Sequence, residues 1–253
     1  MSNLHQDIRP RKVRKLGASL ARSATEVREA QRLRWRVFAD EGGARLASPE
    51  SGFDVDRFDA HCVHILVRDL ADDQVIGTYR VLTGAASTLA GGFYSETEFD
   101  LNRLNHLRPR IAELGRSCVH PDYRSGAVIT LLWGAIVDVV SASGCDILIG
   151  CASVSMKDGG HTAAAINERM VREHLAPPEY RVTPRTPVNL AGRDPIRAEA
   201  TPPLIKGYVR AGAWVCGAPH WDADFNTADF LMMLQMRAVE TRYARHYRPL
   251  ERS

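Results

Sequence analysis

Residues 111–132, IAELGRSCVHPDYRSGAVITLL, constrain the fold more than any other part of the chain. Their pattern predicts a strand over 114–119, a turn over HPDYRSG, and an almost wholly apolar helix that ends at Gly144. Glu113 and Arg116 lie in this strand region, and in a regular strand they would face opposite sides. We therefore expect a bulge between them if both side chains serve one site.

Apolar spacing predicts the neighbouring elements. A helical repeat predicts a first helix over 26–41, and two apolar runs, 62–70 and 74–82, predict an antiparallel hairpin. A buried strand is expected over 145–153. The other expected elements are a short helix over 101–107, a helix over 161–175, at most one short strand between 177 and 201, a helix over 202–213, two strands around a turn within 214–234 and a basic helix over 237–247.

The composition is that of a globular protein. With 253 residues, 45% hydrophobic and 25% charged, the chain can form one large domain with a full core. We divide it into a basic, partly disordered arm over 1–24 and a single domain over 25–253, with a C-terminal elaboration from about 177. The net charge is +3, but residues 1–22 alone carry +5. Such an arm suits an acidic partner, and charge alone does not choose between anionic lipid, nucleic acid and an acidic carrier protein.

Other bulk features exclude whole classes. No run approaches the roughly 20 apolar residues of a membrane span, and the N-terminus lacks the apolar centre of a signal peptide, so we expect a cytoplasmic protein. The five cysteines are scattered and form no CxxC pair, which argues against a disulfide framework and a zinc ribbon. We expect reduced thiols and no metal site.

Charged residues interrupt apolar segments in the N-terminal half. Arg34 shares a face of the first helix with Phe38, so its side chain is either drawn inward or extends along the surface to water. Arg80 lies inside an apolar strand, where a charge must face solvent or pair with a carboxylate. Glu113 and the aspartates of the preceding loop are the candidate partners.

Aspartates cluster in the loop before the hairpin and again near the C-terminus. In the loop we favour Asp56 and Asp59 as ligands of a substrate ammonium group. Asp222 and Asp224, with Asn226, are candidates for binding a substrate side chain, although capping of a turn is the more common role.

These motifs together resemble known acyltransferases. ELGRSCVHPDYRSG looks like the central motif of the GNAT acyltransferase superfamily, with the pyrophosphate loop reduced to Arg124, Ser125, Gly126 and Ala127. The polar positions follow the order found in acyl-homoserine-lactone synthases: Arg34 and Phe38, Asp56 and Asp59, Arg80, then Glu113 and Arg116. By contrast, PPLIKGYVRAGAWVCG and PHWDADFNTADF are similar to the ornithine-lipid N-acyltransferases, and this resemblance covers about residues 25–247.

The resemblance implies a fold and a reaction. The fold would be α+β, an α/β/α sandwich of the GNAT-like acyl-CoA N-acyltransferase type, with a mixed, mostly antiparallel sheet flanked by helices. The reaction would move a 3-hydroxyacyl chain from acyl carrier protein to the α-amine of ornithine, giving lyso-ornithine lipid, with no bound cofactor. The reduced glycine pattern favours the carrier protein as donor over acyl-CoA.

The same resemblance assigns roles to residues. Glu113 would accept the amine proton, its alternative role being a structural pair with Arg116 or Arg80. Asp56 and Asp59 would bind ammonium groups, Arg80 or Arg116 the substrate carboxylate, and Arg34 the phosphopantetheine or the carrier. Two backbone sets complete the site: amides near Ser117, Cys118 and Val119 for the oxyanion, and those of Arg124, Ser125, Gly126 and Ala127 for the phosphate.

The charge distribution and the resemblance together predict the binding partners and leave two alternative functions open. We expect acyl carrier protein, an amino acid and an anionic inner-membrane surface as partners, the last through the arm and Arg237, Arg242, Arg245 and Arg248, and no nucleic acid. An acyl-homoserine-lactone synthase would need S-adenosylmethionine, and the long C-terminal portion argues against it. A non-enzymatic membrane or nucleic-acid binding module would depend on the basic arm alone.

Overall fold

The computed structural model of the chain describes residues 15–124, 126–194 and 200–237. In this part ten strands and five α-helices are present. In chain order they are β1 (Leu16–Leu20), α1 (Ala24–Trp35), β2 (Val63–Asp69), β3 (Gln74–Thr83), α2 (Gly84–Leu89), β4 (Phe99–Asp100), β5 (Ile111–Val119), α3 (Ala127–Ala142), β6 (Ile147–Ser155), α4 (His161–Glu173), β7 (Thr183–Pro184), α5 (Pro203–Ala211), β8 (Trp214–Val215), β9 (His220–Asp222) and β10 (Thr227–Gln235).

Shorter helical segments connect these elements. A π-helical segment prolongs α1, and five 3₁₀ segments lie in the loops. They are Arg36–Glu41 for the π-helix and Asp59–His61, Tyr94–Thr97, Asn102–Arg110, Pro121–Tyr123 and Pro178–Tyr180 for the 3₁₀ turns.

One mixed sheet forms the middle of the molecule. Its strands lie in the order β1-β2-β3-β5-β6-β10-β8, with β9 also paired to β10, and β4 pairs separately with β7. Within the large sheet β5 and β6 run parallel, whereas the other pairings are antiparallel. The expected mostly antiparallel mixed sheet is confirmed.

Helices cover both faces of the sheet. In β2, Leu66 packs with Ala30 and Leu33 of α1, while its neighbours Ile65 and Val67 join the core under α3. This follows from the alternation of strand side chains between the two faces. Helices α4 and α5 lie on the α3 side, and the irregular segment 84–110 covers the opposite face beside α1. The molecule is therefore an α/β/α sandwich, as expected.

The parallel pair β5 and β6 separates soon after it forms. The two strands pair only from Ile111 with Ile147 to Glu113 with Ile149. The next residue on β6 is Gly150, whose hypothetical Cβ would lie 2.5 Å from the Leu114 carbonyl oxygen. The strands thus touch closely at one point and then diverge, leaving their facing edges unpaired. We call this opening the β5–β6 split.

A bulge lies in β5 just beyond that point. The register between β3 and β5 shifts between Thr78 and Arg80, which pair with Cys118 and Gly115. One extra residue therefore stands on β5, and Arg116 takes a left-handed conformation with φ of 50°. The local kink expected in this strand is confirmed, but the bulge begins at Arg116 itself, because residues 113–115 pair with β3 in regular register.

Two expectations need correction. Residues 16–20 of the expected arm form edge strand β1 on β2, because the backbone groups on the outer edge of β2 need partners. The segment 214–234 contains three strands instead of two: β8, β9 and all but the last residue of β10. Residues 1–14 of the arm, and the expected basic helix beyond Arg237, lie outside the described residues.

Across the described ranges, no helix has the length and apolar character that crossing a membrane requires.

The close approach at Gly150 gives a stability prediction. Gly150→Ala places a Cβ against the Leu114 carbonyl and should lower the free energy of unfolding by about 1–3 kcal/mol, as overpacking generally does. Gly115→Ala, across the split, meets no atom within 4 Å and is the control. Denaturant unfolding of both variants measures the difference, and equal stability would show that the strands do not touch there.

Candidate active site

A cavity of about 350 Å³ occupies the β5–β6 split. Residues 113–117 of β5 form one side, and Cys151, Ser153 and Ser155 of β6 form the other. Apolar side chains close much of the remaining wall: Val37, Phe38, Tyr79, Leu82, Leu204 and Phe225. The cavity therefore combines unpaired strand edges with an apolar lining.

Beneath this cavity lies a group of six charged side chains, which we call the buried ion network: Arg34, Asp54, Asp56, Asp59, Arg80 and Arg116. Arg34 is fully buried and donates from Nε to Asp54 at 2.8 Å and from Nη1 and Nη2 to Asp59 at 2.9 and 2.8 Å. Gln31, one turn earlier on α1, donates to Asp59 at 2.9 Å. The network thus fastens the loop before β2 to α1.

The other half of the network reaches the cavity. Arg80 Nη1 donates to Asp56 at 2.6 Å and to Asp59 at 2.8 Å, so the loop aspartates are its partners. Arg116 is held more loosely, 3.2 Å from Asp54 and 3.5 Å from Asp56. Because Arg116 also lines the cavity, its guanidinium can exchange these contacts for a ligand carboxylate.

The network determines the ionisation of Asp59. Burial alone would raise the pKa of Asp59, but the hydrogen bonds and charge of Arg34, with the charge of Arg80, hold the pKa well below its usual range. Since the pKa is lowered on folding, this pairing stabilises the fold above the ordinary aspartate range. That stabilisation is lost as the pH falls through the acid range.

These contacts correct part of the predicted substrate set. Arg34 and Asp59 are buried, and their charged groups are occupied by each other and by Asp54, Gln31 and Arg80. Neither presents its charge to the cavity, and Arg34 does not extend along the surface to phosphopantetheine or a carrier. Asp56 lines a smaller neighbouring pocket and holds Arg80 and Arg116. The sequence placed five residues in one cluster correctly, but only Arg80 and Arg116 of them line the cavity.

Glu113 is an anchor as well as a cavity residue. Its Oε2 accepts from the Tyr94 N–H at 2.7 Å, and its Oε1 accepts from the N–H and hydroxyl of Ser95. The alternative role, a pair with Arg116 or Arg80, is wrong as a hydrogen-bonded contact, because the Tyr94 and Ser95 donors occupy the carboxylate instead. Burial raises the pKa of Glu113, and the Ser95 and Tyr94 hydrogen bonds act against that rise.

The residues after Glu113 are distributed between the cavity and the core. Ser117 lines the cavity, whereas the Cys118 side chain packs under α1 and Val119 packs under α3. Burial raises the pKa of the Cys118 thiol to about 12, and it also raises the pKa of the Cys151 thiol. Neither thiol is thereby suited to act as a nucleophile.

The predicted phosphate turn precedes α3. Gly126 is the N-cap of this helix and Ala127 its first residue, while Ser125 lies outside the described residues. Arg124 forms a bidentate ion pair with Glu41 at 2.6 and 2.7 Å and is half exposed. The first amides of α3 face this turn without a side-chain cap, so phosphate binding there stays a prediction.

A second acidic group lies at the wall, and of its three members the sequence analysis named only Asp222. Glu98, Asp222 and Asp229 each place one oxygen within 4.8 Å of the other two, and we call them the acidic trio. Among the described residues they are the group whose donors could hold a metal ion. Burial raises the pKa of Glu98 and of Asp229, and their mutual proximity adds to the rise at Glu98.

Asp222 was a candidate from the sequence, and the sequence also held a signal for Asp229 but none for Glu98. Asp229 interrupts the apolar run of β10, just as Arg80 interrupts β3, so the same rule applied there would have selected it. Glu98 lies in the segment 84–110, which has no clear period. Asp222 caps its turn, as expected, by accepting from the N–H groups of Asp224 and Phe225 at 2.9 and 3.0 Å.

A sheet that splits between two parallel strands, with a cavity in the split and a helix start beside it, is the arrangement of the GNAT fold. Residues 33–134 match the family model described as Acetyltransferase (GNAT) domain. The fold resembles the AHL synthase LasI, at 14% identity and TM-score 0.52 over 88% of this chain and 91% of that one. It also resembles FeeM, an N-acyl amino acid synthase from uncultured soil microbes, at 11% identity and TM-score 0.55 over 93% and 99%.

Sequence relatives identify the family to which the chain belongs within this fold. The chain is 37% identical over 254 residues to the L-ornithine N(alpha)-acyltransferase of Rhizobium meliloti (strain 1021), covering 93% of this chain and 85% of the relative. It is 35% identical over 251 residues to that of Brucella abortus (strain 2308), covering 92% and 88%. The chain belongs to the L-ornithine N(alpha)-acyltransferase family. It is an acyltransferase, and the non-enzymatic alternative is set aside.

The buried ion network gives a second prediction. Arg34→Met leaves Asp54 and Asp59 without their main counter-charge and should lower the free energy of unfolding by about 3–5 kcal/mol. Arg172→Met, which removes two exposed ion pairs on α4, is the matched control and should change stability little. Chemical denaturation of the two variants measures both changes in the free energy of unfolding. Similar losses of stability in the two variants would contradict the structural role of the network.

The raised pKa of Glu98 gives a third prediction, with its sign set by linkage. The folded state holds the Glu98 proton at pH values where the unfolded state has released it, so Glu98 destabilises the substrate-free fold increasingly as the pH rises above the ordinary carboxyl range. Glu98→Gln should therefore raise Tm relative to the wild type, and more at pH 9 than at pH 5. Glu179→Gln, at an exposed position, should show no such trend. A Tm difference that does not change with pH would contradict the raised pKa.

Proposed function

We propose that the protein transfers a (3-hydroxy)acyl chain from acyl carrier protein to the α-amine of ornithine, giving lyso-ornithine lipid. One observation carries the proposal: the cavity lies in the β5–β6 split of a chain that is similar over nine-tenths of its length to L-ornithine N(alpha)-acyltransferases.

The split supports a pantetheine thioester as the donor. Beyond Glu113 and Ile149 the two strands no longer pair, so their edges offer N–H and C=O groups to the amides of a pantetheine arm. The N-terminus of α3, at Gly126 and Ala127, favours a phosphate group. The apolar wall, which includes Val37, suits the acyl chain. With one glycine in the turn, we favour the carrier protein over coenzyme A.

Two arginines line the cavity and could bind the amino acid. Arg80 is engaged by Asp56 and Asp59 at hydrogen-bond distance, whereas Arg116 has only the looser contacts to Asp54 and Asp56. We assign the α-carboxylate of the substrate to Arg116 for this reason. Arg80 then keeps the loop aspartates in place and adds positive charge to the floor.

Glu113 is the proposed proton acceptor. The unprotonated α-amine attacks the thioester carbonyl, a C–N bond forms, the C–S bond breaks, and the amine proton passes by way of Glu113 to the departing thiolate. Backbone amides near Ser117 stabilise the tetrahedral oxyanion. Glu113 lines the cavity, and burial brings its pKa upward towards the range a base requires. No protein nucleophile is needed.

The reaction itself is the fourth prediction. The purified full-length chain, incubated with 3-hydroxyacyl carrier protein and ornithine, should release lyso-ornithine lipid detectable by mass spectrometry. The same acyl group on coenzyme A should give at least tenfold less product, and S-adenosylmethionine in place of ornithine should give no methylthioadenosine. Absence of an N-acyl amino acid with either donor would overturn the proposal.

Ser95 distinguishes a base from a structural anchor and gives the fifth prediction. Ser95→Ala removes a hydrogen bond that favours the charged form of Glu113, so the pKa of Glu113 rises. If Glu113 is the base, the acid limb of the kcat–pH profile moves to higher pH.

A purely structural role of Glu113 predicts a different result for Ser95→Ala. If Glu113 only anchors Tyr94 and Ser95, the variant loses stability while the acid limb stays in place. Thr97→Ala, in the same 3₁₀ turn but bonded to the Tyr94 carbonyl, controls for general loosening of this segment.

A further inference from the structure

Three carboxylates converge on the cavity wall opposite the β5 side. Glu98 follows the 3₁₀ turn Tyr94–Thr97, Asp222 ends β9 and Asp229 lies in β10. One oxygen of each lies within 4.8 Å of the others, and Asp222 and Asp229 line the cavity. This acidic trio belongs to none of the steps described above.

The Glu98 carboxylate is buried without the hydrogen bonds that would offset the cost of its burial. It is 4% exposed, and neither of its carboxylate oxygens makes a hydrogen bond of normal geometry to any described residue. The Cys151 thiol and the Tyr94 hydroxyl lie close enough to favour its charged form, but burial and the Asp229 carboxylate outweigh them and raise the pKa of Glu98. A buried carboxylate without a full set of partners costs free energy, so an external cation would be stabilised here.

The backbone holds this uncompensated group rigidly. The Glu98 N–H donates to the Ser95 carbonyl at 3.1 Å, and its own carbonyl accepts from the Arg185 N–H at 2.7 Å. Asp229 is likewise 4% exposed and accepts from the Thr227 hydroxyl at 2.8 Å. The trio is therefore fixed before any ligand arrives, which is how an ion-recognition site avoids ordering costs on binding.

We propose that the acidic trio binds the terminal ammonium group of the amino-acid substrate and so selects a basic side chain, an inference that rests on the proposed function. An ammonium group has three N–H donors, and the trio offers one carboxylate oxygen to each. Arg116, on the β5 side, takes the carboxylate at the other end of the same molecule. The Tyr94 ring lies between these two points, with the Arg116 guanidinium 5.0 Å from its centre.

The arrangement favours an ammonium ion over a divalent metal ion. One oxygen of Asp222 already caps the turn through the Asp224 and Phe225 N–H groups, and one oxygen of Asp229 accepts from Thr227. Fewer oxygens are then free than the six to eight a calcium ion takes. The walls beside the trio are a thiol and an aromatic ring, Cys151 and Tyr94. A compact monovalent donor matches this set better.

A substrate analogue tests the inference. Norvaline has the carbon chain of ornithine without the terminal ammonium, so it leaves the trio unpaired and should be a poor substrate for the wild type. Glu98→Gln and Asp229→Asn should raise KM for ornithine at least 100-fold and change kcat much less. They should also lower the ratio of kcat/KM for ornithine over norvaline at least 100-fold.

The controls separate the possible failures. Asp100→Asn, an exposed aspartate two residues beyond Glu98, should keep the wild-type ratio. If the wild type acylates ornithine and both trio variants keep the wild-type ratio, the inference is overturned while the proposed function stands. If the wild type produces no acyl-ornithine, the proposed function itself fails.

A metal site is the remaining outcome. Calorimetric titration with Mg²⁺, Ca²⁺ and Mn²⁺ should show no binding that Glu98→Gln removes, and EDTA should leave ornithine KM unchanged. Metal binding lost in Glu98→Gln, together with loss of activity in EDTA, would overturn the inference in favour of a cation centre.

Discussion

Pairing between β5 and β6 stops after three residues, and the rest of the site depends on that break. Up to Glu113 the two strands form an ordinary parallel pair, and Gly150 allows the closest possible approach at its end. Beyond it both strands keep their outer partners, β3 and β10, so the sheet stays intact while its centre opens. The cavity is therefore built from strand edges that lost their partners.

Two charged residues of β5 hold the opening in shape from different sides. Glu113 accepts from Tyr94 and Ser95 and so anchors the segment that carries Glu98. Arg116, turned by the bulge, contacts Asp54 and Asp56 of the buried ion network. The buried ion network pairs three arginines with three aspartates and stabilises the fold. The acidic trio across the cavity lacks such counter-charges. A local loss of stability of this kind is characteristic of a functional site.

The sequence predicted the architecture because apolar period and turn residues decide it locally. The hairpin of β2 and β3 and the strand–turn–helix of β5 and α3 followed from spacing, whereas the kink near Arg116 followed from the requirement that Glu113 and Arg116 serve one site. Strand β1 did not, because only two large apolar residues, Leu16 and Leu20, mark it and its pairing depends on the free edge of β2. Residue spacing also could not predict which charged side chains pair with each other and which face the cavity. Order along the chain placed Arg34 and Asp59 in one cluster, but only three-dimensional contacts show that they satisfy each other instead of a ligand.

A crystal structure with a stable bisubstrate analogue, in which acyl-pantetheine is joined to the α-nitrogen of ornithine, tests the proposed site most directly. We expect the pantetheine arm between β5 and β6, the carboxylate on Arg116 and the terminal ammonium at Glu98, Asp222 and Asp229. Density for the analogue outside the β5–β6 split, with the cavity filled only by solvent, would contradict it.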